Sequence, residues 1–185
     1  MEACRSRRPK VEEVAMPVQR LNHAVLFVAD VPRSVAFYAE ALGFETVMAI
    51  PSGRATFLRA PGSTNDHDLG LFGAPVRAAS SSERPTAGLY HLAWEVDTLA
   101  ELARLKGVLS EMGALVGASD HGTTKSLYGR DPDGIEFEIA WVVPAAMLDD
   151  QAVAARAAVR PLDLEREQQR YGAETVGGVG VSIAA

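Results

Sequence analysis

Leu21-Asn22-His23-Ala24-Val25-Leu26-Phe27-Val28 and Tyr90-His91-Leu92-Ala93-Trp94-Glu95-Val96 open the same way, with a histidine leading into an apolar strand. The segments after these two strands are also alike, so the chain reads as two copies of one unit. In the first copy Asp30 can cap a helix with Pro32 in its first turn, the body 34–42 carries apolar residues at helical spacing, and Gly43 ends it. Residues 45–50 and 54–59 then form a hairpin around Pro51-Ser52-Gly53, and 68–72 make a fourth strand. In the second copy Thr98 caps a helix that runs through Met112, and Gly113 takes the place of Gly43. Strands come next at 115–118, 125–130 and 135–143, the last entered through the turn Asp131-Pro132-Asp133-Gly134.

A unit with one helix cannot cover both faces of its own sheet, so the two units must combine. The expected class is α+β: paired βαβββ modules forming a cup-shaped mixed sheet with the helices outside. Alternation along the last strand supports this. Ile135, Phe137, Ile139 and Trp141 share a face suited to a helix, while Glu136, Glu138 and Ala140 share the face toward the cup. The expected organisation is an N-terminal extension at 1–19 and a domain at 20–143 with modules 20–73 and 88–143. A C-terminal extension at 144–185 completes it. The Ala/Ser/Pro-rich stretch from Gly73 to Gly88 reads as an exposed linker. In the extension, 145–159 is Ala-rich and expected helical, Pro161 interrupts, 164–171 is a short charged helix, and the Gly-rich 172–185 is expected to be mobile.

Composition narrows the functional classes. With 185 residues, 48% hydrophobic and 23% charged, the chain can bury a proper core. A net charge of −6 argues against a nucleic-acid or anionic-membrane surface, since phosphate binding needs clustered Lys and Arg. The one basic run, from Arg5 to Lys10, precedes the first strand and reads as a solvated tail. Cys4 is the sole cysteine, so neither an intrachain disulfide nor a thiolate cluster can form. No apolar run has membrane-spanning length, and Arg7-Arg8 lacks the apolar segment of a secretory signal, which makes the cytoplasm the expected compartment. Met16-Pro17 offers an alternative start.

The chemistry-bearing residues fall on the strands. His23, His91 and Glu138 stand on three of them, and two imidazoles with one carboxylate can cap one face of a metal, leaving positions open for substrate and oxygen. Such a donor set favours Fe(II), with Mn(II) the substitute, whereas zinc prefers a more closed site. Glu138 is preferred over Glu136 because a buried carboxylate needs a cation, and Glu136 reads as solvated. His67 and His121 are left over for acid–base or orienting work.

These residues resemble the vicinal oxygen chelate, or glyoxalase/bleomycin-resistance/dioxygenase, superfamily. Asn22-His23, Phe37-Tyr38 with Leu42-Gly43-Phe44, the His91 strand and Asp131-Pro132-Asp133-Gly134 with Glu138 carry the likeness over residues 20–143. His67-Asp68-Leu69-Gly70-Leu71 and Ser119-Asp120-His121-Gly122-Thr123-Thr124-Lys125-Ser126-Leu127-Tyr128 are similar to segments of type I extradiol catechol 2,3-dioxygenases. The resemblance implies cleavage of a catechol-type aromatic with O2, beside its two hydroxyls, to a semialdehyde-type product. It gives His67 the role of acid–base group and has Tyr128 donate to a substrate oxygen, with His121 orienting the substrate or Tyr128. A homodimer is also implied. Other activities on the same fold compete with this reading. A glyoxalase-type isomerase would want a fourth ligand, for which Thr56-Phe57-Leu58-Arg59 offers no clear candidate. A thiol transferase would draw on Arg54, Arg59, Lys125 and Arg130. A drug-sequestering protein would lack the metal set, and would want more aromatic residues than the 6% present here.

Overall fold

The structure is a computed structural model and describes residues 21–74, 88–156 and 158–178. The N-terminal extension with Cys4 and Met16, and most of the 73–88 linker, lie outside the described residues. The first module is β1 (Ala24–Val28), α1 (Val31–Leu42), β2 (Glu45–Ala49), β3 (Ala55–Arg59) and β4 (Leu69–Gly73). The second is β5 (Leu92–Glu95), α2 (Leu99–Glu111), β6 (Leu115–Asp120), β7 (Thr124–Arg130) and β8 (Glu136–Val142). The repeat is therefore real, element for element.

Local chemistry sets the helix ends. Asp30 accepts from the Arg33 amide at 3.0 Å, and Thr98 does the same for Glu101 at 3.1 Å. Gly43 (φ 72°) closes α1 in the left-handed conformation, with its amide and that of Phe44 bonded back to Ala39 and Tyr38. Buried Val31, Ser34, Phe37, Tyr38 and Ala41 on α1, and Leu99, Leu102, Leu105 and Leu109 on α2, keep the helical spacing that fixes which side faces inward.

Each module makes its own mixed sheet. The orders are β1-β4-β3-β2 and β5-β8-β7-β6-β9, the last strand being Arg160–Pro161. In both, the first and last strands of the module lie side by side and parallel. The α+β class and the paired βαβββ modules are as expected, but the strands are divided between two sheets. No strand pair joins the sheets among the described residues.

The modules meet through their helix-bearing faces. Phe37 packs edge-on against Phe137 at 6.0 Å between ring centres, and Phe44 against Trp94 at 5.2 Å. The Tyr38 hydroxyl donates to Asp131 at 3.1 Å, while Arg33 pairs with Asp133 at 2.7 Å. One apolar core spans the interface, taking in Leu26, Val28, Leu58, Leu69 and Leu71 from one side and Leu127, Phe137, Ile139 and Trp141 from the other. The opposite faces of both sheets are left uncovered, and Phe27 is 72% exposed. No helix among the described residues is long and apolar enough to cross a membrane.

The C-terminal extension departs from expectation. Among the described residues of 145–159 the helical elements are a 3₁₀ turn (Ala145–Met147) and the short α3 (Asp150–Ala154), despite the alanine content. The chain has to straighten there, because β9 pairs with the free edge of β6, Ser119 with Pro161 and Asp120 with Arg160. Long-range strand pairing outweighs local helix propensity. Pro161 lies within this edge strand, where it forfeits no central ladder bond. α4 (Leu164–Tyr171) forms as expected, capped by Asp163. The described part of the Gly-rich end is bonded to the second module: the Gly177 amide donates to Asp97 at 2.7 Å, that of Gly178 to Val142 at 2.9 Å, and Trp141 Nε1 to Thr175 at 3.1 Å, while 179–185 lie outside the described residues.

The Tyr38–Asp131 bond ties the modules together at a buried point. Burial and the Asp131 carboxylate push the Tyr38 hydroxyl far above its ordinary pKa, so it stays a donor at any working pH. Tyr38→Phe should cost about 1–3 kcal/mol, since Asp131 loses a partner it cannot replace with water. Urea denaturation of the two proteins measures this, and an unchanged midpoint would remove the bond from the contacts that hold the modules.

Candidate functional site

His91 immediately precedes β5, and Ala93 on that strand pairs with Glu138 on β8. Alternation puts His91, Ala93 and Glu138 on the uncovered face of the second sheet. His91 Nε2 and Glu138 Oε2 approach to 3.1 Å. The imidazole Nδ1 is buried with no partner. Tyr128 lies opposite Glu138 in the β7–β8 ladder, its ring 5.9 Å from that of His91. Burial, followed by the charge of Glu138, raises the Tyr128 hydroxyl above its ordinary pKa. His121, in the tight turn between β6 and β7, has Nε2 at 2.9 Å from the Tyr128 hydroxyl. One face of one module thus gathers His91, Glu138, Tyr128 and His121.

Burial does not separate the two glutamates. The side chains of Glu136 and Glu138 are 16% and 14% exposed, so the expectation of a solvated Glu136 does not hold. Glu136 is sheltered with Arg130 as its partner at 3.4 Å, whereas Glu138 has an imidazole.

The first module brings together His23 and His67. Their rings stand 4.6 Å apart, and Phe57 packs edge-on against His67 at 5.0 Å. His23 Nδ1 lies 2.8 Å from the Asn22 side chain and His67 Nδ1 3.0 Å from Asp66. Asp68 shapes the loop that delivers His67. Its carboxylate accepts from the Ala60 amide at 2.9 Å, Ser63 Oγ at 2.8 Å and Asn65 Nδ2 at 2.7 Å. Alternation alone could not have revealed this role for Asp68, because it depends on a loop folding back on itself.

The two groups lie in different modules. No set of three or more His, Cys, Asp or Glu side chains able to hold a metal is present among the described residues. His23 therefore does not join His91 and Glu138 within the chain. The repeat explains the split. Val25 pairs with Gly70 where Ala93 pairs with Glu138, so the first module has a glycine in place of the carboxylate.

The donor pair in the second module suits a divalent ion. Donors at about 2.1 Å from one ion and at right angles to each other are about 3 Å apart, close to the His91–Glu138 separation. The pair leaves an open face beside Tyr128.

Lys125 behaves unlike a binding-site cation. It is 1% exposed on the other face of β7, pairing with Asp120 at 2.5 Å and Glu167 at 3.0 Å. Arg166 also reaches Glu167 at 2.9 Å. Burial alone would raise Asp120, but bonds from Lys125 and the Gly122 amide bring its carboxyl below the usual range. Because the folded value is depressed, its stabilisation is present above the unfolded carboxylate pKa, about 4, and is lost as pH falls through the folded value. Wild type should exceed Asp120→Asn in urea midpoint at neutral pH, with the gap closing under acid. A gap independent of pH would mean that the charge on Asp120 is not what stabilises.

Comparison with known proteins agrees with the fold. The model of the Glyoxalase/Bleomycin resistance protein/Dioxygenase superfamily matches residues 20–139. A virulence protein of Salmonella typhimurium is 28% identical over 71% of this chain and 90% of its own length. Biphenyl-2,3-diol 1,2-dioxygenase 3 of Rhodococcus globerulus is 32% identical over 65% of this chain, a match that spans 62% of that enzyme. Among solved structures, a glyoxalase/dioxygenase from Nostoc punctiforme superposes with a TM-score of 0.57 at 26% identity, covering 70% of this chain and 97% of that one. The chain belongs to the glyoxalase/bleomycin resistance protein/dioxygenase superfamily.

Proposed function

We propose that the chain is a metal-dependent extradiol-type dioxygenase, cleaving the ring of a catechol-type aromatic with O2 and using Fe(II), or Mn(II) in its place. His23, His91 and Glu138 are the ligands. The observation that carries the reading is the His91–Glu138 pair at 3.1 Å with Tyr128 and His121 on the same face. The likeness to a biphenyl-2,3-diol 1,2-dioxygenase supports the choice of chemistry.

The site is completed between two copies of the chain. His23 and His67 of one copy face His91, Glu138, Tyr128 and His121 of the other. Two observations favour this arrangement. Each module holds only part of the donor set, and the faces that carry the two parts are apolar and uncovered. Val25 and Phe27 alternate with His23 on one, while Leu89 and Tyr90 lead into His91 on the other.

When bound, the metal would chelate two adjacent substrate oxygens and lower the pKa of a hydroxyl. The chain's own groups do the rest. Tyr128, oriented by His121, holds one substrate oxygen in place. His67 takes the proton of the second hydroxyl and later returns it. Phe57 packs against the His67 ring and limits its rotation.

Anaerobic loading with Fe(II) followed by oxygen uptake over a panel of catechols tests the class; no uptake and no coloured ring-fission product would overturn it. Replacing His91 or Glu138 should abolish bound metal, whereas His67→Ala should keep the metal and lose rate. Metal analysis of the purified variants separates these. Mixing and refolding His23→Ala with Glu138→Ala chains tests the shared site. Random pairing would restore about a quarter of wild-type activity if sites span two copies, and none if they do not.

A further inference from the structure

The C-terminal segment reaches the candidate site at one atom. The Ala158 carbonyl oxygen lies 3.2 Å from His121 Nδ1, and Nε2 of the same ring lies 2.9 Å from the Tyr128 hydroxyl. A carbonyl oxygen can only accept, so Nδ1 carries the proton. The neutral ring then has a bare Nε2, which accepts from Tyr128. The hydroxyl has a single proton, and giving it to His121 leaves only lone pairs on the Tyr128 oxygen for a ligand.

The segment is firmly held on the second sheet. β9 pairs with β6 on the residue just before His121. Gly122 (φ 75°) lies directly under α3, and a Cβ there would collide with the Ala152 carbonyl. Buried Lys125 binds Asp120 in β6, the Gly122 carbonyl and Glu167 in α4, so one cation ties the turn to the extension. The order of 150–178 and the orientation of the His121 ring are therefore coupled.

We infer that residues 150–178 are a positioning element for the site. Through Ala158 they hold His121 as the Nδ1–H tautomer, and Tyr128 thereby becomes a hydrogen-bond acceptor toward a ligand beside His91 and Glu138. The direction is opposite to the donation expected from the sequence. The ligand class that fits is one presenting a donor there, such as a protonated phenolic oxygen. That last step rests on the oxygenase reading; the tautomer does not.

Long-range ¹H–¹⁵N spectra of the imidazoles in the full-length protein, at a pH of about 8 where free histidine is neutral, test the proposal. Signals assigned by their loss in His121→Gln should show Nδ1 protonated and Nε2 bare. The Nε2–H form, which free histidine prefers, would overturn it. In Gly122→Ala, which forces α3 away, the Nε2–H form should rise to at least a comparable population. If that variant does not fold, Glu167→Gln is measured instead, with release of the segment read by proteolysis within 150–178. Release with no change in tautomer would also overturn the proposal. An inactive protein that keeps the Nδ1–H form would count against the oxygenase reading alone.

Discussion

The contact on which the rest depends is the burial of Phe137 between the modules. Its ring meets Phe37 and Tyr38 of α1, and Gly129 across the ladder has no side chain because a Cβ there would enter that ring. Phe137 and Glu138 are neighbours on a strand, so what buries one exposes the other. Once the aromatic face is committed to α1, the carboxylate face must look outward. The same logic holds in the first module, where Leu26 and Val28 go inward and His23, Val25 and Phe27 go outward. A core made from the helix-bearing sides therefore leaves two uncovered sheets, with His23 and His67 meeting beside one and His91 and Glu138 beside the other. The apolar surface on them is a cost the isolated chain bears.

The extension solves a different problem. Sheet edges and a buried lysine both need partners, and β9 and α4 supply them. Taking Lys125, Asp120 and Glu167 out of water carries a desolvation cost that their mutual attraction offsets only with good geometry. Removing one partner would leave an uncompensated buried charge, so the cluster accepts the extension in one position and penalises others. That position carries the Ala158 carbonyl to His121. Packing at the periphery and hydrogen-bond polarity at the site are in this way parts of one arrangement.

Much of the fold was legible because its signals are local. Asp30, Thr98, Gly43 and Gly113 mark helix ends through bonds to residues no more than a few positions away, and strand alternation correctly sorted Phe137, Ile139 and Trp141 from Glu136 and Glu138. The extension is less legible. Alanine content favours helix over 145–159, yet the open edge of β6 lies elsewhere in the chain, and no window around residue 160 contains it. Lys125 looked like a cation available to a ligand, since nothing nearby in sequence shows that Glu167 will close over it.

The amino-acid sequence by itself determined the repeated module, the ends of its helices, the inward face of each strand and the kinds of donor present. All of these arise from periods of two and 3.6 residues and from short-range caps. Only the tertiary structure decided which donors meet: His91 with Glu138, and His23 with His67. The reason is that modules associate through the apolar faces they must hide, and the polar residues on the reverse faces take whatever neighbours that leaves.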